Sequence, residues 1–227
     1  MEGLLRPASP VAHPSGRDLF VSRQAVLDWL VAYATLIEQN KDVLTELDAA
    51  IGDADHGYTL NRGWQAVLSR LGASEHKDIG GLLKLAGMTL VSTVGGASGP
   101  LYGTLFICMG ASAGCKLELT LADWAAVLEA GTNGVVARGR ASLGDKTMVD
   151  TLAAAAQALN ASTAAGTPLP AALRHSAEAA RQGMLNTIPL PARRARASYL
   201  SQRGIGHQDP GATSSYLLLK AAADTWA

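Results

Sequence analysis

Ser22-Arg-Gln-Ala-Val26-Leu-Asp-Trp-Leu30-Val-Ala-Tyr33-Ala-Thr-Leu-Ile37 decides the fold class of this chain. Its apolar residues Val26, Leu30, Tyr33 and Ile37 recur at the four-three-four spacing of one buried helical face. Ser22 stands just before that run, where an N-cap hydroxyl can accept from first-turn N–H groups. Working outward, further helices are expected near 58–71, 78–94, 99–113, 121–139, 148–163, 168–187 and 212–225. Leu121, Trp124, Val127 and Leu128 make an apolar stripe in one of them, and Pro168 and Pro170 suit the opening turn of another. Strand signals are scarce: valine is absent after Val149, and Ile188 and Ile205 are the only β-branched aliphatics beyond it. Alanine-rich tracts such as Thr151–Gln157 let helices approach closely. The pattern specifies one all-α domain of about eight long helices, without internal linker or repeat.

Composition narrows the function classes. The 227 residues are 48% hydrophobic and 17% charged, which excludes a disordered chain. Lys plus Arg balances Asp plus Glu at 19 each, against the basic face that nucleic acid selects. The two cysteines, Cys108 and Cys115, have no zinc spacing; as buried thiols on one helical face, they fit a reducing cytoplasm. Residues 1–20 read as a loose leader before a single domain over 21–227. No charge occurs from Leu85 through Cys115, long enough to span a bilayer, but Gly95-Gly-Ala-Ser-Gly-Pro100 cuts the run into two core helices. No membrane span is expected.

Four of the breaks between helices carry small, polar and charged residues: 48–57, 95–100, 139–147 and 203–211. Two helices separate each break from the next, and in an up-and-down bundle alternate loops meet at the same end. All four breaks should therefore converge on one rim.

The first break, Asp48-Ala-Ala-Ile-Gly-Asp53-Ala-Asp55-His56-Gly57, gathers three carboxylates within eight positions. Unneutralised, a pair about 4 Å apart would cost about 4 kcal/mol at an effective dielectric near 20. A hard cation relieves that repulsion, and an oxygen-only set with few members suits Mg²⁺ shared with phosphate. A solvated, helix-capping acidic turn is the other reading. The EF-hand is excluded because its 12-residue spacing and closing Glu are missing. At the second break, backbone N–H groups at a helix start form an anion site, or else an ordinary tight turn. Gly139-Arg-Ala-Ser-Leu-Gly144-Asp145-Lys146-Thr147 is not a P-loop, since Asp145 separates glycine from lysine and no strand precedes it. At the fourth, Arg193, Arg194, Arg196 and Arg203 read as a solvated helix end, or as a source of one phosphate-steadying arginine. Asp209-Pro210-Gly211 forms a rigid turn that can start the last helix. Neither a Ser-His-Asp triad nor a zinc site is supported. Together on one rim, these elements describe a magnesium-nucleotide site.

The blocks TELDAAIGDADHG, TVGGASGP, GDKTMVDT and RASYL…GIGHQDPGATS, in this order, resemble the nucleotide-binding L subunits of dihydroxyacetone kinases over about residues 22–225. The resemblance implies eight antiparallel helices closed into an up-and-down barrel, with nucleotide in the loops at one end. It implies that Asp48, Asp53 and Asp55 hold two magnesium ions on the phosphates of ADP or ATP. His56, Gly57, Tyr58 and Thr59 match the nucleotide-contacting turn, Ala97 and Ser98 the phosphate loop, and Gly139 and Met148 the adenine side. Arg196 matches a nucleotide-contacting arginine, and Asp209, Pro210 and Gly211 a flap over the nucleotide. In that family a separate K subunit binds dihydroxyacetone and supplies the acid/base group. This chain would then be half of a phosphotransferase. Its ADP is expected to stay bound and be rephosphorylated by an M-type phosphocarrier of the phosphoenolpyruvate-dependent system. Ordinary ATP exchange, a non-catalytic nucleotide-binding regulator and a metal-dependent phosphohydrolase are the alternatives.

Overall fold

The structure, a computed structural model, describes residues 20–73, 78–194 and 204–227. The expected leader lies outside the described residues, apart from Phe20. Eight helices follow in order: α1 Arg23–Ile51, α2 His56–Gly72, α3 Ile79–Thr93, α4 Ser98–Ala113, α5 Leu121–Gly139, α6 Met148–Ala164, α7 Leu169–Leu185 and α8 Pro210–Trp226. Ser22 caps α1 by accepting from Ala25 N, and the Asp78 side chain caps α3 through Gly81 N. Capping boxes open α5 (Thr120 with Asp123) and α6 (Thr147 with Asp150). The only strands among the described residues are two-residue pieces not foreseen in the sequence, β1 Val21–Ser22 and β2 Glu118–Leu119. They pair antiparallel and tie the start of α1 to the α4–α5 connection.

Each helix packs against the next, and α8 returns to pack against α1, so the order of contacts is that of a ring. Large aromatics fill its interior. Trp29 meets Trp124 edge-on at 5.3 Å and lies 5.2 Å from Trp226, while Trp64 sits edge-on to Tyr33 at 4.8 Å and to Phe106 at 5.3 Å. Such pairs contribute about 0.5–1.5 kcal/mol each beyond their buried area. The first and last helices are also joined by polar tips: Trp29 Nε1 donates to Leu218 O (3.0 Å), Tyr33 Oη to Ser214 O (3.1 Å) and Trp226 Nε1 to Ala25 O (2.9 Å).

The uncharged stretch forms α3 and α4, which lie together along glycines. A Cβ on Gly87 would stand 2.7 Å from Gly103 O, and one on Gly110 would stand 2.7 Å from Gly80 O. Backbone-to-backbone contact replaces lipid as the partner of these apolar helices. No helix among the described residues is long and apolar enough to cross a membrane.

Two expectations need correction. Cys115 is exposed and lies beyond α4, because Gly114 (φ +57°) ends that helix; Cys108 is half-buried. The two thiols therefore do not share a helical face. The first break is also shorter than 48–57: α1 continues through Ile51, so only 52–55 are non-helical.

Candidate nucleotide and metal site

The α1–α2 turn is built around Asp48. Its carboxylate is buried one turn before the end of α1, and its Oδ2 accepts from Asp55 N (2.9 Å) and His56 N (3.2 Å) at the start of α2. The N-terminus of α2 is thus aimed at a carboxylate, a favourable placement for negative charge. Gly52 makes the turn possible, since a Cβ there would fall 2.0 Å from Asp48 Oδ1. Ala54 follows in the left-handed region at φ +60°. This folding back brings carboxylate oxygens of Asp48, Asp53 and Asp55 within 4.8 Å of one another, the first buried and the other two exposed. An all-oxygen set, with one member rooted in the fold and two open to solvent, fits a magnesium ion that keeps several waters.

The α3–α4 turn faces it. Ala97 at the N-cap of α4 makes no side-chain cap hydrogen bond, so no capping side chain covers the first-turn N–H groups, an arrangement suited to an anion. His56 joins the two turns to α8: Nδ1 lies 3.0 Å from Ser98 Oγ, and Nε2 lies 2.9 Å from Ser214 Oγ. Burial pushes the His56 pKa down to about 4, against the opposing pull of the Asp48 charge.

The third turn, between α5 and α6, supports the segment before α8. Lys146 is buried in the left-handed region at φ +61°, and its Nζ donates to Thr187 O (2.7 Å), Ile188 O and His207 O. Burial lowers its pKa, partly offset by Asp209. Asp145 O accepts from Arg193 N (3.2 Å), and Asp145 Oδ2 accepts from Arg194 Nε (2.8 Å). Burial would raise the Asp145 pKa, but hydrogen bonds from Arg194 and Ser142 outweigh it and hold the carboxyl below its usual range.

Asp209 caps α8 through Ala212 N at 2.7 Å. Burial drives its pKa up to about 7; Ala212 N–H and Lys146 oppose this, while Asp150 and Asp48 add to it. The folded state therefore holds a proton that the unfolded chain releases near pH 3.9. Stability from this group is complete below that value and is lost as pH rises through about 7. In metal-free protein, Asp209→Asn is expected to flatten the fall in melting temperature between pH 5 and pH 8, because asparagine caps equally well without charging. Thermal melts at both pH values check this; a variant as pH-sensitive as the wild type would contradict it.

These turns enclose a cavity of about 600 Å³. Asp48, Asp53, Asp55, His56, Ala97, Ser98, Gly139, Met148, Asp209, Pro210 and Gly211 all line it, so residues from the four expected breaks meet at one place. Gly57, Tyr58 and Thr59 do not line it. Two residues along a helix rotate a side chain by about 200°, and with His56 facing inward, Tyr58 points outward to donate to Asp42 at 2.6 Å. Gly57 instead sits where α2 crosses Lys41 O of α1. Arg196 lies outside the described residues; Arg194 lines the cavity. Arg138, Lys146 and Thr147 line it as well and were not singled out from the sequence, although Lys146-Thr147 belongs to the GDKT block. One wall is apolar, with Leu101, Val135 and Val149, and suits a planar base.

The DAK2 domain model matches residues 50–224. This chain belongs to the DAK2 domain family. The DAK2 chain is 42% identical over 203 residues to the PEP-dependent dihydroxyacetone kinase ADP-binding subunit DhaL of Escherichia coli, covering 89% of this chain and 97% of that protein. It is 38% identical to the PTS-dependent dihydroxyacetone kinase ADP-binding subunit DhaL of Lactococcus lactis, covering 86% and 93% respectively. It also resembles the triokinase/FMN cyclase of Bos taurus at 33% identity, where it spans 37% of the longer protein. Among solved structures, the dihydroxyacetone kinase from C. freundii in complex with AMP-PNP and Mg²⁺ matches with a TM-score of 0.66 and 26% identity. That match covers 99% of the DAK2 chain and 38% of the neighbour.

Proposed function

We propose that this chain is the ADP-binding subunit of a phosphoenolpyruvate-dependent dihydroxyacetone kinase. It holds a magnesium nucleotide, whose terminal phosphoryl group passes to dihydroxyacetone carried on a separate K-type subunit. The observation that carries this reading is one cavity shared by three converging carboxylates and the uncapped N-terminus of α4. The near-equal length of the DhaL relatives, themselves described as ADP-binding subunits, supports it.

Asp48, Asp53 and Asp55 would hold two magnesium ions, which when bound neutralise charge on the polyphosphate. The N–H groups of α4 and the Ser98 hydroxyl bind phosphate oxygens. Leu101, Val135, Met148 and Val149 hold the base away from water. The P–O bond to the nucleotide's β-phosphate breaks as a bond forms to a dihydroxyacetone hydroxyl oxygen, whose proton goes to a base on the partner. The retained ADP is then rephosphorylated by an M-type phosphocarrier. With two unpaired cysteines, the subunit suits the reducing cytoplasm.

Calorimetry with ADP tests the site: affinity is expected to fall at least about tenfold when magnesium is chelated, and equal binding in chelator would refute it. The AMP-PNP complex of the C. freundii neighbour favours a second reading, with ATP binding and exchanging as in an ordinary kinase. Repeated turnovers on ATP with the K partner and no phosphocarrier would establish that reading over the relay.

A further inference from the structure

We propose that Tyr102, Ser214 and His56 form a directed hydrogen-bond chain that leaves the Ser98 hydroxyl proton free to donate into the nucleotide cavity. The inference rests on the function proposed above and adds positioning residues to it.

Ser214 Oγ, buried on α8, lies 2.6 Å from Tyr102 Oη, 2.9 Å from His56 Nε2, and 3.1 Å from the carbonyls of both Pro210 and Gly211. A hydroxyl has one proton to give and two positions at which to accept. At the shortest contact either hydroxyl could donate; the phenol, the stronger acid, is assigned as donor to Ser214 rather than to Gly211 O at 3.5 Å, and Ser215 Oγ, 3.0 Å away, can donate to Tyr102 in turn. Ser214 then has one proton for either His56 Nε2 or a carbonyl of its own helix. The imidazole nitrogen is nearer, 2.9 Å against 3.1 Å for each carbonyl, and is the stronger base among the three acceptors. Donation to Nε2 places the imidazole proton on Nδ1, which gives it to Ser98 Oγ at 3.0 Å. Ser98, having accepted, keeps its own proton at the first residue of α4, where it lines the cavity.

The opposite direction would have Ser98 donate to Nδ1. It would then present only lone pairs to an incoming phosphate, beside N–H groups that favour an anion. Tyr102 and Ser214 thus act through His56; Tyr102 also lines the cavity, whereas Ser214 does not. Ser98 and Ser214 are 116 residues apart in sequence and are joined by one imidazole.

Long-range proton–nitrogen correlation spectra of the full chain, with imidazole nitrogens labelled, report the His56 tautomer directly. The proton is expected on Nδ1, both without ligand and with magnesium-ADP. Ser214→Ala is expected to weaken ADP binding about tenfold, the loss of one hydrogen bond to a charged group. In a Ser98→Ala background it should add nothing, because the chain then has no terminus to orient. A proton on Nε2, or an equal loss of affinity in both backgrounds, would overturn the proposal. Should Ser214→Ala fail to fold, the spectrum of the unmodified protein still decides the direction of the chain. A wild type that binds no ADP would refute the proposed function, and the ligand-free spectrum would still read the tautomer.

Discussion

Asp53→Asn is expected to lower phosphoryl transfer by at least about 100-fold while leaving the helical fold intact. Asp53 is exposed, in the four-residue gap between α1 and α2, and its carboxylate stands within 4.8 Å of those of Asp48 and Asp55. Asparagine keeps the size and one oxygen but removes the charge a divalent ion needs. The contrast is Asp48, whose buried carboxylate also accepts two backbone N–H groups. Asp48→Ala would orphan those donors and cost stability as well as activity, by about 1–3 kcal/mol. Turnover assays with the K partner, beside circular dichroism melts, separate the two effects. Asp53→Asn with near wild-type turnover would remove the metal assignment. A strongly lowered melting temperature would show that the residue is structural.

Gly57→Ala is the substitution expected to harm the fold most. A Cβ there would lie 1.9 Å from Lys41 O, 2.7 Å from Lys41 C and 2.6 Å from Thr45 Oγ1. Two of those atoms are backbone of α1, which cannot swing aside as a side chain would. The helices must separate at the point where they present Asp48 and His56 to the cavity. Overpacking of this kind costs about 3 kcal/mol, or roughly 6–12 °C in melting temperature for a chain of this size. Gly72→Ala is the control: no atom lies within 4 Å of its Cβ, and helix propensity favours alanine. Calorimetric melts of the two variants should diverge in sign or at least in size. An unchanged melting temperature for Gly57→Ala would mean that the α1–α2 approach is looser than the structure has it.

Gly57 shows how a motif position can carry a physical role that the motif itself does not state. The resemblance places it in the nucleotide-contacting turn, and the structure adds that its missing Cβ lets α2 cross α1 at Lys41. The Tyr58 side chain, in the same turn, points away from the cavity to Asp42. Residues adjacent in a motif share a line of sequence but not a direction, because each step along a helix turns the side chain by about 100°.

Amino-acid order alone determined the helices, the absence of long strands among the described residues and the meeting of four loops at one rim. Apolar spacing, cap residues and glycine breaks act within a few positions, so each leaves a local trace in the chain. The acidic trio was legible for the same reason: Asp48, Asp53 and Asp55 all fall within eight positions. What tertiary structure decided was who faces whom across the chain. His56 reaches Ser98 at 42 positions' remove and Ser214 at 158, and Lys146 donates to carbonyls 41 and 61 residues away. Such partners follow from the packing of α8 against α1 and from where Thr187, Ile188 and His207 stand beside Lys146. Hydrogen bonds between distant residues impose no spacing rule on the residues between them, so no local pattern could have announced them.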